Sequence, residues 1–281
     1  MTKTAAVIND LSGLGRCSLT AALPVLSALG IQACPVPTAV LTAQTGFAGY
    51  HLEDLTCTID CFIDHWRRLE MRFDGISTGF LSSAAQADGV ARFLDAFAGP
   101  DTLVLVDPVM GDDGMVYPGY DEPLQQRVRA LVRRADVVTP NLTEACLLTG
   151  QSYAALEGLS APALFDTVEE LARQIAATGP QVVAITGIRR DGRIHNLTLD
   201  HGRCALISAD ILGGSYSGTG DLFAAVLHGC LLRGADAGSA ARLAADFLCA
   251  ALRDTVPQGT DRNQGVAFEP HLGMLTGAAL P

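Results

Sequence analysis

Asp221 closes the stretch SGTGD (217–221), directly ahead of LFAAVLHG, an apolar run that reads as a buried helix. A glycine-rich turn feeding a helix leaves backbone N–H groups unpaired at the positive end of the helix dipole, where an anion is favoured. A carboxylate there would repel a bound phosphate. It makes sense as a base that takes a proton from a hydroxyl attacking phosphorus. The plainer reading is a glycine-capped helix whose dipole Asp221 complements. Redundancy weighs against it, because a cap needs one polar side chain. Ser217-Gly218-Thr219-Gly220-Asp221 offers bare backbone, hydroxyls and a carboxylate together.

Two further segments, VDPVMGDDG (106–114) and TPNLTEA (139–145), each follow an apolar strand. Their Asp107, Asp112, Asn141 and Glu144 are expected to meet at the carboxyl edge of one sheet. A hydrated Mg²⁺ fits such a place, since it needs one or two carboxylates plus substrate phosphate. Either segment alone could be only a turn and a helix cap, with Asn141 or Thr143 at the cap. In NDLSGLGRCS (9–18), Gly13, Gly15 and Ser18 imitate the dinucleotide fingerprint. The glycines come four residues late and the ribose-binding acid is missing, which disfavours a nicotinamide or flavin enzyme. A structural glycine turn and a substrate-facing loop carrying Asp10 and Ser12 both stay open, the second being favoured at the end of a strand.

The elements that position these residues alternate. Strands are expected at 4–10, 31–41 (broken by prolines), 74–80, 102–108, 136–141 and 180–187. Helices are expected at 17–30, 53–69, 84–99, 122–135, 142–150 and 166–178, and through most of the last ~65 residues. That rhythm implies a mainly parallel sheet covered on both faces. Between 182 and 210 the pattern changes to strand, Asp191-Gly192, strand, turn, strand, which predicts an antiparallel edge. Arg189, Arg190 and Arg193 flank that turn and read as a solvated tip rather than a phosphate clamp. No linker or repeat divides the chain, so residues 1–281 are expected to form a single domain.

Of the 281 residues, 49% are hydrophobic and 17% charged, enough for a sizeable core. A net charge of -11 argues against nucleic acid or an anionic membrane as partner. No apolar run reaches the ~18 residues of a membrane span, and MTKTAAVIND lacks a signal peptide's apolar region. The eight cysteines lie scattered in apolar stretches and read as reduced, mostly buried thiols. Lys3 is the only lysine among 19 basic residues and precedes the first strand. A Walker-type phosphate loop or a Schiff-base enzyme needs a lysine elsewhere, so both are excluded.

Taken in order, INDLSGLGRCSLTAALPVLSALG (8–30), TAVLTAQTGF (38–47), STGF (77–80), VDPVMGD (106–112), DVVTPNLTEACLLTG (136–150), VVAITG (182–187) and SGTGDLFAA (217–225) resemble the ribokinase-like small-molecule kinases. Within them the chain is most similar to the pyridoxal/pyridoxamine kinases. The resemblance implies a three-layer α/β sandwich, with a mainly parallel central sheet, an antiparallel edge and helices on both faces. It implies a cytoplasmic homodimer that uses ATP and Mg²⁺, with K⁺ as a further candidate, to phosphorylate the 5′-hydroxymethyl group of a B6 vitamer.

On that resemblance Asp221 is the base, and Gly218, Thr219 and Gly220 form an anion hole. Asp107 and Glu144 hold Mg²⁺ largely through water, with Thr139 and Thr186 beside them. Asp112, Asn141, Thr186 and Gly187 border ATP. Asp10, Thr45 and Phe80 contact the pyridine with Ser12 close by, and Tyr117 lies on a flap. Many relatives carry Ser where Asp10 stands, Ser-Asn-His in place of Thr42-Ala43-Gln44, and Tyr in place of Phe80. A carboxylate at 10 is expected to favour pyridoxamine over pyridoxal. The alternative substrate is hydroxymethylpyrimidine, although some of its kinases carry Cys where Asp221 stands. A non-catalytic vitamin-binding protein is the alternative of another class, and an intact Asp221 argues against it.

Overall fold

Strand β1 (Thr4–Ser12) is apolar on consecutive residues because it runs through the middle of a sheet covered on both faces. Ala5 and Val7 face one core while Ala6 and Ile8 face the other. The computed structural model describes residues 2–276; Met1 and residues 277–281 of the expected domain lie outside them.

After β1 come α1 (Ser18–Ala28), β2 (Gln32–Leu41), β3 (Leu52–Asp54), α2 (Ile59–Arg68), β4 (Gly75–Thr78), α3 (Ala84–Phe97) and β5 (Leu103–Val106). A small hairpin of β6 (Gly111–Asp112) and β7 (Met115–Val116) precedes α4 (Glu122–Val132), β8 (Val137–Val138), α5 (Leu142–Thr149), α6 (Ala154–Glu157) and α7 (Ala161–Ala176). The chain ends with β9 (Val182–Arg190), β10 (Arg193–Asp200), β11 (Arg203–Asp210), α8 (Thr219–Leu232), α9 (Ala237–Thr255) and α10 (Gly273–Thr276).

The main sheet has nine strands in the order β11-β10-β9-β8-β5-β4-β1-β2-β3. Strands β9 to β2 in that order run parallel; β10 and β11 close one edge antiparallel, and β3 closes the other. Helices α2, α3, α4, α5 and α7 pack one core, and α1, α8 and α9 pack the other. The three layers, parallel sheet and antiparallel edge are those expected. Among the described residues no helix is long and apolar enough to cross a membrane.

The differences are local. The expected helix over 53–69 starts later, because Leu52–Asp54 pairs with Ala39–Leu41 and Asp54 Oδ1 then accepts the N–H of Thr56 at 2.7 Å to turn the chain. Pro35 and Pro37 do not break β2. Its far edge is paired only at residues 39–41, so prolines without N–H groups cost no ladder bond there. Asp113 (φ 47) and Gly114 (φ 77) form a two-residue hairpin turn that the sequence reading passed over, with the left-handed geometry also found at Asp191 and Gly192. The thiols are less uniformly buried than expected, since Cys57, Cys61 and Cys204 are exposed.

Candidate active site

The chain leaves β1 for β2 on one side and returns to β4 on the other, so the sheet's switch point lies between β1 and β4. Open α/β sheets bind ligands in the crevice outside the carboxyl ends of strands at such a point. Here those ends present Asn9, Asp10 and Ser12 from β1, Gly79 and Phe80 after β4, Asp107 after β5, and Thr139 after β8. Thr186 lies further along β9, bridged to Asn141.

Helix α8 faces this edge with its first turn. It is apolar all round and buried from Leu222 to Cys230, so its start is fixed by packing on every side. Gly218 takes the cap position at φ 79, and a Cβ there would collide with the carbonyl of Arg16. Among the described residues no side chain caps the helix, and the Thr219 hydroxyl instead donates to Tyr216 O at 3.1 Å. The first N–H groups of α8 are therefore available to an anion. A Cβ at Gly220 would meet no atom within 4 Å, which leaves that side open for a close ligand.

Asp221, in this first turn, accepts a hydrogen bond from Asn9 Nδ2 at 3.3 Å, and the backbone N–H of Ser18 lies near enough to favour its charged form. Burial lifts its pKa to about 6 and the charge of Asp10 adds to the rise, while those two donors oppose it. A carboxylate poised there is ionised at neutral pH yet basic enough to accept a proton. The neighbouring Cys17 thiol is pushed up to about 12 by burial and by Asp221 and Asp10, so it stays protonated.

Asp107 is raised to about 7 by burial and then by Asp221, against the Thr139 hydroxyl that donates to its Oδ1 at 3.0 Å. Glu144 is held well above the usual carboxylate range by burial and by Asp107. Its Oε1 accepts Met110 N–H at 3.0 Å and its Oε2 accepts Asn141 N–H at 2.8 Å. Acids forced together in a buried place favour a cation between them. Among the described residues no three His, Cys, Asp or Glu side chains converge tightly enough to ligate a metal alone. The crowded acids Asp107 and Glu144 could hold Mg²⁺, which keeps waters and completes its shell with substrate phosphate.

The remaining expected site residues are also placed. Asn141 caps α5: its Oδ1 accepts Glu144 N–H at 2.9 Å, and its Nδ2 donates to Gly111 O at 2.7 Å. The helix-cap reading of the sequence is thus what this side chain does. Asp112, half-buried on the hairpin, is raised by burial and by Asp113, with Arg189 and Arg262 opposing. Arg190 donates to Leu159 O, and Arg193 lies 3.7 Å from Asp210. Gly187 has φ 73 and donates its N–H to Asn196 Oδ1 at 3.2 Å. Tyr117 follows the hairpin, its ring 6.4 Å from Tyr120, which in turn lies 6.2 Å from Phe80. Thr45 is exposed on the loop joining β2 to β3.

Ser12 donates its hydroxyl to Asp10 Oδ2 at 2.9 Å, and both side chains are buried. Gly13 and Gly15 lie against Leu41, Thr42 and Gln44, where added Cβ atoms would be crowded, so the glycine turn is structurally required.

The roles of several residues of this edge escaped the sequence reading. Asn9 holds Asp221 with its amide N while its Oδ1 accepts the N–H groups of Asp10 at 3.0 Å and Phe80 at 3.1 Å. Ser18 adopts φ 50, rare for a non-glycine, and touches Asp10 as well as Asp221. Gln44 Nε2 donates to Ser217 Oγ at 3.2 Å, tying the β2–β3 loop to the turn ahead of α8.

A three-layer sheet whose carboxyl edge holds a carboxylate at an uncapped helix start is that of a ribokinase-like kinase, an enzyme that moves phosphate to an alcohol. The chain belongs to the phosphomethylpyrimidine kinase family, which matches residues 15–266. It is similar to a Bacteroides thetaiotaomicron protein, a candidate phosphomethylpyrimidine kinase crystallised with pyridoxal. That structure has 36% identity and a TM-score of 0.91, covering 98% of this chain and 96% of the other. Pyridoxal kinase from Lactobacillus plantarum has 33% identity and a TM-score of 0.87, over 98% and 97% of the two chains. A hydroxymethylpyrimidine/phosphomethylpyrimidine kinase of Bacillus subtilis is 28% identical across 88% of each chain.

Proposed function

We propose that this chain transfers the γ-phosphate of ATP to the 5′-hydroxymethyl group of a B6 vitamer, giving the 5′-phosphate and ADP. The observation that carries the reading is Asp221, lifted to about 6 and set at the uncapped start of α8. The Bacteroides relative crystallised with pyridoxal and the Lactobacillus pyridoxal kinase support the choice of substrate.

In this reading the vitamer ring lies beside Phe80, Thr45 and Tyr117 and directs its hydroxymethyl group at Asp221. Asp221 accepts the hydroxyl proton as the oxygen attacks phosphorus, so the nucleophile gains charge only as the new bond forms. The N–H groups at Gly218, Thr219 and Gly220 face the oxygens on which charge builds. Asp112, Asn141, Thr186 and Gly187 border the nucleotide. Asp107 and Glu144, with Thr139 fixing Asp107, would hold Mg²⁺ through water. That ion, when bound, supplies positive charge against the phosphates.

Hydroxymethylpyrimidine is the second candidate substrate, favoured by the family match and the Bacillus subtilis relative. The test gives the purified protein ATP and Mg²⁺ with pyridoxal, pyridoxamine, pyridoxine or hydroxymethylpyrimidine separately, following ADP and the phosphorylated product. Turnover of at least one B6 vitamer is expected, at a higher kcat/KM than hydroxymethylpyrimidine. Preference for the pyrimidine would select the second reading, and no turnover with any would overturn both.

A further inference from the structure

Asp10 is an acid at the bottom of the same crevice, yet only 4% of its surface is exposed. Both its oxygens are occupied: Oδ2 accepts the Ser12 hydroxyl at 2.9 Å and Oδ1 accepts the Ser18 hydroxyl at 2.5 Å. Its own N–H is held by Asn9 Oδ1 at 3.0 Å. A carboxylate enclosed in this way has little left to offer a substrate ring.

Its partners point elsewhere. Ser18 opens α1 at φ 50, a left-handed conformation that a serine holds only when its surroundings fix it. The 2.5 Å bond to Asp10 fixes the side chain of Ser18, while the backbone N–H of the same residue lies near enough to the Asp221 carboxylate to favour its charged form. Asn9 makes a second bridge, accepting from Asp10 N–H and donating to Asp221. Two residues thus each touch both acids.

We propose that Asp10 is a positioning residue of the phosphoryl-transfer site, locking Ser18 so that its N–H aims Asp221 at the hydroxyl to be phosphorylated. The inference rests on the reading of Asp221 as the base. It removes Asp10 from the groups that choose between pyridoxamine and pyridoxal.

The test compares Asp10→Ala, Asp10→Asn, Ser18→Ala and the Asp10→Ala/Ser18→Ala double variant, with Asp221→Asn alongside. Calorimetric ATP binding checks that each is folded. Loss of aim of about an ångström costs on the order of 10²-fold in rate, so Asp10→Ala and Ser18→Ala should each lower kcat by tenfold or more toward that limit. KM for the vitamer should change little. The double variant should be no worse than the poorer single, because both remove one linkage. Asp10→Asn should restore most of kcat, since its carbonyl still accepts the Ser18 hydroxyl.

A rise in vitamer KM with unchanged kcat in Asp10→Ala would overturn the proposal, as would multiplying losses in the double variant. Should Asp10→Ala fail to fold, Ser18→Ala and Asp10→Asn still decide: near-normal kcat in Ser18→Ala, or a full loss in Asp10→Asn, contradicts it. Normal turnover in Asp221→Asn would remove the base reading itself, a separate result from any change confined to residue 10.

Discussion

Asn9 and Asp221 lie 212 residues apart in sequence, and Asn9 Nδ2 donates to Asp221 Oδ1 at 3.3 Å. The bond joins an interior strand of the sheet to the first turn of a helix buried on every side. Because the Asn9 carbonyl also receives the N–H groups of Asp10 and Phe80, its orientation is set by the backbone of two strand ends. Asn9→Asp keeps that acceptor and puts a second carboxylate against Asp221. The acid limb of the pH–rate profile should therefore move upward, and an unmoved limb would argue that the contact has no bearing on the base.

The wild-type profile follows from the same group. Asp221 must be ionised to accept a proton, and its pKa is about 6. Because kcat/KM reports the groups of the free enzyme, kcat/KM should rise with pH through about 6 and level off above it. A rate independent of pH between 5 and 8 would contradict this assignment.

Gly218 and Gly220 should separate stability from activity. Gly218→Ala meets the Arg16 carbonyl and a positive φ, so it should lose about 1–3 kcal/mol of stability as well as turnover. Gly220→Ala meets nothing in the protein and should be neutral or stabilising by up to about 1 kcal/mol. Its methyl would crowd the phosphate, so activity should fall while chemical denaturation is unaffected or shifts to higher denaturant. Full activity in Gly220→Ala would place the phosphate elsewhere.

The buried acids give a stability signature of opposite sign to a salt bridge. Asp107 has its folded pKa raised to about 7, above its unfolded value of 3.8. Its contribution is fully present below pH about 4 and is lost as pH rises through about 7. Asp107→Asn cannot lose it, so its melting temperature relative to wild type should climb between pH about 4 and about 7 and stay level above that. Mg²⁺ with ATP should narrow the gap by stabilising the wild type. A difference that is flat in pH would count against the crowding of Asp107 with Asp221 and Glu144.

Much of this molecule could be read before folding it, for reasons that are local. Strands such as β5 are short apolar runs, and Asp191-Gly192 carries its hairpin in two residues. Asp221 stood out because a carboxylate is odd in a phosphate-binding turn. The hairpin at Asp113-Gly114 was equally local, but the acids around it drew attention to charge rather than to turn chemistry. The parts played by Asn9, Ser18 and Gln44 were hidden for a different reason. Their roles consist of contacts with Asp221, Asp10 and Ser217, which only the packing of β1 and the β2–β3 loop against the start of α8 creates. Asp10 shows the same limit, since its type suggested a ligand while its neighbours enclose it.

The central claim is that Asp221 takes the proton in phosphoryl transfer to a B6 vitamer. Its most direct test measures ADP and vitamer 5′-phosphate formed by wild type and by Asp221→Asn, at saturating ATP and Mg²⁺ with ATP affinity checked in parallel. The wild type should form both products in equal amounts, and the variant should bind ATP normally while kcat falls by about 10²–10⁴-fold. Near-normal kcat in Asp221→Asn would contradict the account.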